Sequence, residues 1–157
     1  MLFRFKGIRS AVRGRLLFPV LCPSALPGIG TGRVLATIVN YLPSPDGRAD
    51  FTGANAKDKE EASWPIDPEG PFAALVFKTV ADPYAGRISL MKVFSGSASI
   101  DAPMLNPRSN TTEKLANLSL VQGKQYEPTQ GVVAGQLCAV AKLRDIHTSD
   151  TLCDKSQ

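Results

Sequence analysis

Short apolar runs separated by turn residues fill the second half of this chain. They fall at 72–80, 88–94, 103–105, 115–121, 132–133, 137–143 and 151–153, with Pro83, Gly86 and Gly96 among the breaks. Runs recurring every ten residues or so, rich in β-branched and aromatic residues, predict a small antiparallel barrel or sandwich. The first half reads differently. Ile8 and Val12 lie four apart on one face and Arg9 and Arg13 on another, predicting a helix over 8–13 that Gly14 ends. Residues 16–22 are apolar without a break, the pattern of a strand buried on both faces. A loop with two Pro and three Gly follows at 23–32. Val34, Leu35, Ile38, Val39 and Leu42 then recur at helical spacing until Pro43 and Pro45. Helix, strand, loop and helix make an α/β piece, which needs further strands to complete its hydrogen bonds. Residues 46–70 are acidic and small, with almost nothing apolar before Trp64 and Ile66, and predict a linker or surface excursion.

Length limits the architecture: 157 residues allow one domain, or one domain with an appendage. Hydrophobic and charged fractions of 43% and 20%, with 13 Gly and 12 Pro, predict a folded, turn-rich chain and exclude a low-complexity one. Three cysteines fit a reducing compartment, so a cytoplasmic location is expected. Charge is uneven, at +6 over residues 1–45, −4 over 46–69 and +2 over 70–157. A pI near 9.1 is compatible with an RNA or acidic partner, and equally with a solvated surface. The acid-free, Arg-rich start invites a targeting reading, but Pro19 interrupts the apolar run and Leu21, not a small residue, precedes Cys22. No stretch approaches the ~20 apolar residues of a spanning helix, and no membrane partner is expected.

Residue chemistry yields no catalytic constellation. Gly28, Gly30 and Gly32 stand where a phosphate loop would, yet Arg33 occupies the third fingerprint position and the Lys-Ser/Thr of a P-loop is missing. His147, Ser149 and Asp150 are the residue types of a hydrolase triad, but four consecutive positions rarely converge as one. Cys22, Cys138, Cys153 and His147 lack the short spacing of structural zinc sites, so no metal site is expected. The sequons at Asn110 and Asn117 carry no weight in a reduced compartment.

Three stretches resemble elongation factor G and its relatives, the ribosome-binding translational GTPases. The first, Phe18-Pro19-Val20-Leu21-Cys22-Pro23-Ser24-Ala25-Leu26, looks like the last buried strand of the GTP-binding domain and its Ser-Ala-Leu guanine loop. Ile29-Gly30 to Pro43-Ser44-Pro45 is similar to the closing helix of that domain. Most specific are Val76-Phe77-Lys78-Thr79, Asp82-Pro83-Tyr84, Gly86-Arg87-Ile88-Ser89 and Val93-Phe94-Ser95-Gly96, which look like the opening hairpin of the second domain. Asn106-Pro107-Arg108, Ala134-Gly135 and His147 to Cys153 continue it in order.

The resemblance implies a mainly β fold: a translation-factor β-barrel of six or so strands, preceded by an α/β remnant of a P-loop GTPase domain. Its implied boundaries are 1–45 for the remnant, 46–70 for the linker, 71–154 for the barrel and 155–157 for a tail. It further implies a ribosome-associated module facing small-subunit rRNA, monomeric, with no DNA partner; an inert structural remnant is the alternative. Ser24, Ala25 and Leu26 would be the guanine loop, and Arg87, Lys92, Arg108, Lys142 and Arg144 the candidate RNA contacts. GTP and Mg²⁺ belong to the intact family. The P-loop, switches and Asn-Lys-x-Asp motif do not occur in this sequence, so no catalytic residue and no cofactor is expected. Pro23, Gln136 and Ser149 replace residues that are usually Gly, Asp and Gly, and Pro23 removes a backbone donor beside the guanine loop.

Overall fold

The computed structural model describes residues 2–44, 50–54, 60–84 and 86–155, with side chains from residue 6 onward. Pro45 as a helix stop, 46–49 and 55–59 of the expected linker, Ala85 in the expected turn and the end of the expected tail, 156–157, lie outside these. The chain divides into two units, Met1–Gly47 and Arg48–Gln157.

The first unit holds α1, Leu2–Arg13, and α2, Thr31–Tyr41. Arg15 closes α1 in the left-handed region, at φ 57°, and the amides of Leu16 and Leu17 both return to the carbonyl of Ala11, at 2.8 and 3.2 Å. The strand expected at 16–22 does not form. Residues 17–23 have no regular structure, and only an isolated bridge, Ser24 to Ile29, lies nearby. An apolar run becomes a buried strand only when neighbouring strands take its hydrogen bonds, and no described residue offers one. No described side chain of residues 6–44 is buried.

In the second unit, β1, Phe51–Ala54, pairs antiparallel with β2, Glu61–Trp64, where a linker was expected. The reason is local: Phe51 lies opposite Trp64, their rings stack with centroids 5.4 Å apart, and Phe94 meets Phe51 at 5.2 Å. Next come β3, Ala73–Asp82, β4, Gly86–Ser95, β5, Ser97–Ser99, and β6, Pro103–Asn106. They are followed by β7, Thr111–Lys114, β8, Leu118–Gln122, β9, Gln125–Pro128, β10, Gly131–Val133, β11, Leu137–Ala141, and β12, Thr151–Cys153. Eight strands form one antiparallel sheet in the order β7-β6-β12-β3-β4-β11-β8-β9, while β5 pairs with β10. The count exceeds the apolar runs because β7 and β9, at the two edges, are largely polar.

One core is shared by six of the eight strands. Val76 of β3, Met91 and Val93 of β4, Met104 of β6, Leu118 of β8, Cys138 and Val140 of β11 and Leu152 of β12 belong to a single buried cluster with Ala98 and Val132 from the short ladder. Strands from both halves of the sheet therefore curl around shared contents, which makes the architecture mainly β and barrel-like. Gly96, between β4 and β5, is the tightest crossing. It sits at φ 72°, and a Cβ there would lie 2.6 Å from the Cα and N of Phe72 and 2.7 Å from the Gly70 carbonyl.

Candidate nucleic-acid interface

The five cations singled out from the sequence differ in what they can offer a ligand. Arg87, on β4, donates from Nη2 to the carbonyl of Ile146. Lys92, further along the strand, donates from Nζ to the carbonyl of Gly135 at 2.5 Å. Both tie distant loops to the barrel.

Arg108 follows β6 through an Asn-Pro turn, in which its amide donates to Asn106 Oδ1 at 3.0 Å. Its Nε donates to Asp150 Oδ1 at 2.6 Å and its Nη2 to Asp150 Oδ2 at 3.0 Å. Nη2 also lies 3.2 Å from the Asp145 carbonyl and 2.8 Å from His147 Nδ1. A guanidinium only donates, so this ring nitrogen accepts. The Asp150 side chain is 5% exposed and that of Arg108 47%, so the pair has one buried and one wet end. The Arg108 hydrogen bonds hold the Asp150 carboxyl below its ordinary range, helped by the His147 amide and the Asn106 side chain, while Arg108 is raised chiefly by its bond to Asp150.

Lys142 and Arg144 stand apart. Both are exposed, and neither side chain makes a hydrogen bond or ion pair among the described residues. The backbone beneath them is fixed: the amide of Lys142 bonds the Arg87 carbonyl at 3.0 Å, and the buried Glu113 carboxylate accepts from the amides of Arg144 and Asp145 at 3.3 and 3.0 Å. Lys142 itself takes a left-handed φ of 64°. Two free cations on a pinned loop can meet phosphates without the cost of ordering the backbone beneath them, leaving only that of their own side chains. Glu113, Asn106 and Asp150, which build this arrangement, were not singled out as a group by the sequence, although the Asn-Pro-Arg turn was a signal for one edge of it.

The other sequence candidates are dispersed. Ser24, Ala25 and Leu26 form an exposed turn closed by the Ser24 amide on the Ile29 carbonyl at 3.0 Å and the Gly28 amide on the Ala25 carbonyl at 3.2 Å. The His147 amide donates directly to Asp150 Oδ2 at 2.9 Å, but the imidazole and the carboxylate are linked through Arg108, and the Ser149 hydroxyl makes no hydrogen bond among the described residues. Cys138 and Cys153 are buried and Cys22 is exposed; burial pushes the Cys138 thiol up to about 12. No group of three or more potential metal ligands occurs among the described residues. A cavity of about 640 Å³ opens between the β1–β2 hairpin and the barrel, walled by Phe51, Trp64, Leu75, Phe94 and Pro107 with Arg108 at its side.

A crystal structure of a protein from Thermus thermophilus matches this fold with a TM-score of 0.73 and 25% sequence identity, over 98% of this chain and 20% of that one. The chain thus spans about a fifth of the length of that protein. Residues 71–155 match the family described as elongation factor G domain 2, a span that covers the barrel from two residues before β3 to two residues past β12. The opening hairpin, the Asn-Pro-Arg turn and the closing strand are all inside that match, and the chain belongs to the elongation factor G domain 2 family.

Proposed function

We propose that this translation-factor module binds small-subunit ribosomal RNA through the loop carrying Lys142 and Arg144, with no GTP turnover of its own. The observation that supports this most is the contrast among the basic residues. Arg87, Lys92 and Arg108 each hold at least one donor on the protein, whereas Lys142 and Arg144 keep theirs for solvent on a backbone held by Glu113. Phosphate contacts release counterions, so binding weakens with salt in proportion to the contacts made. In this reading the module acts in the cytoplasm as a monomer, and GTP and Mg²⁺ belong to proteins of the family that carry the phosphate-binding motifs.

The experiment is a salt titration of small-subunit RNA binding. Replacing Lys142 and Arg144 with Ala should lower the magnitude of the log-log slope by about 1.5, the release expected from two contacts. Replacing Arg87 and Lys92 should act mainly on stability. Equal slopes for the parent and the Lys142/Arg144 variant would favour the inert-remnant reading, and Mg²⁺-dependent GTP hydrolysis would contradict the absence of turnover.

A further inference from the structure

The aromatic residues that fasten the β1–β2 hairpin to the barrel also wall the cavity beside it. Phe51 faces Trp64 across the hairpin pairing, Phe94 of β4 meets Phe51 at 5.2 Å, and all three are half-buried and line a space of about 640 Å³. That volume lies in the ~300–1,000 Å³ range of sites for small organic groups. Every residue of the wall belongs to the second unit, so the cavity is the product of one body.

Its polar side gives an anion little to gain. Arg108 stands in the wall with Asp150, which takes two of its hydrogen bonds at 2.6 and 3.0 Å, and Asp145 Oδ1 lies a further 3.4 Å from Nη2. Nη1 of Arg108 makes no hydrogen bond among the described residues, nor does the hydroxyl of Ser149 in the same wall. An aromatic wall with unspent polar atoms at its side suits a neutral planar group that stacks by its face and hydrogen-bonds at its edge. A nucleobase has that chemistry.

The cavity also adjoins the free cations. Arg108 Nη2 lies 3.2 Å from the Asp145 carbonyl, and Asp145 follows Arg144 in the chain. A strand whose phosphates meet Lys142 and Arg144 therefore passes beside it. The sequence around the hairpin, residues 46–69, carries a charge of −4, which repels phosphate and leaves that contact to the barrel.

We propose that this cavity receives one unpaired base of the bound RNA, stacked against the aromatic wall of the β1–β2 hairpin while the neighbouring phosphates rest on Lys142 and Arg144. The inference rests on the RNA binding proposed above and adds a preference to it. A base held in a duplex cannot enter, so the module favours single-stranded or bulged RNA over paired RNA.

Trp64 is the only tryptophan of the sequence, so its fluorescence reports on the cavity directly. The full chain is titrated with single-stranded oligouridylate and with a duplex of oligouridylate and oligoadenylate. The expected result is that both bind but only the single strand quenches Trp64. The quench at saturation should survive replacement of Lys142 and Arg144 by Ala, while the salt slope falls. Gly53→Leu adds a side chain to the cavity wall from β1, where a Cβ meets only Trp64, at an ordinary 3.5 Å. It should remove the quench and weaken single-strand binding roughly fivefold or more, the worth of one stacked base. Duplex affinity should stay at the parent level, which also shows that the variant has folded. A quench as strong with the duplex, or one that Gly53→Leu leaves intact, would overturn the proposal. So would a quench by oligoarginine that oligouridylate does not displace, which would assign the cavity to a basic peptide. An unchanged salt slope in the Lys142/Arg144 variant beside a Gly53-sensitive quench would move the phosphate contacts elsewhere and keep the base site.

Discussion

Arg108 and Asp150, 42 residues apart in sequence, meet side-on through two parallel hydrogen bonds of 2.6 and 3.0 Å. The carboxylate also accepts from Asn106 Nδ2 at 3.1 Å and from the amide of His147 at 2.9 Å. It thereby joins the end of β6 to the loop before β12. Asp150→Ala would take the acceptor from one N–H of the buried Asn106 amide, from the His147 amide and from Arg108 Nε, while the bonds of Asn106 and Arg108 to the Asp145 carbonyl remain. The expected loss is on the order of 3 kcal/mol, read from chemical denaturation. A loss below about 1 kcal/mol would show that water replaces these bonds freely.

The same carboxylate predicts an acid limb. Asp150 titrates below its ordinary value of 3.8 in the folded protein, chiefly because of the Arg108 hydrogen bonds. Its contribution is therefore complete above 3.8 and is lost as pH falls through the lower, folded value. Stability of the Asp150→Asn variant should fall less steeply in this window than that of the parent. Parallel acid limbs would remove Asp150 as their source.

Two glycines with similar dihedral angles should respond differently to a methyl group. At Gly96 a Cβ meets backbone atoms at 2.6 Å that belong to a fixed crossing; at Gly86, φ 77°, it meets open space. Gly86→Ala should cost about 1 kcal/mol, the penalty of the left-handed region alone. Gly96→Ala should cost several times more and abolish cooperative unfolding near room temperature, as followed by circular dichroism.

Ser149 is exposed and held at φ 77°, and its amide donates to the Val76 carbonyl at 2.7 Å. Ser149→Gly relieves the left-handed strain while keeping that bond. A gain of about 0.5 to 1 kcal/mol is expected from thermal unfolding, offset in part by the larger freedom of Gly in the unfolded chain. A destabilised variant would assign a role to the Ser hydroxyl.

The barrel strands that carry apolar alternation were legible in the sequence, because burial of one face dictates their composition. Val76, Met91, Val93, Val140 and Leu152 all lie in expected runs and all reach the core. Burial could not reveal β7 and β9, whose polar residues serve at sheet edges, nor the β1–β2 hairpin, where two aromatics 13 residues apart outweigh an acidic average. The run at 16–22 shows the reverse error, since composition records what a strand needs and not whether its neighbours exist. The division among the five cations was invisible for a related reason. Arg87 and Lys92 bond carbonyls 59 and 43 residues away, and no local pattern encodes such a meeting.

In the pairing of β3 with β4, Val76 lies opposite Met91 and Lys78 opposite Leu90, so Phe77 has no counterpart. A strand's facing has a period of two, and one supernumerary residue therefore resets the phase of everything beyond it. The inner stretch of β3 follows the barrel's parity, while residues 78–82 follow the parity of the hairpin arm, with Phe77 turned to solvent at the seam. The arm and the barrel are thus written in two reading frames of one strand. Removing Phe77 alone would bring them into a single frame, with Val76 and Lys78 adjacent and each still opposite its own partner, Met91 or Leu90.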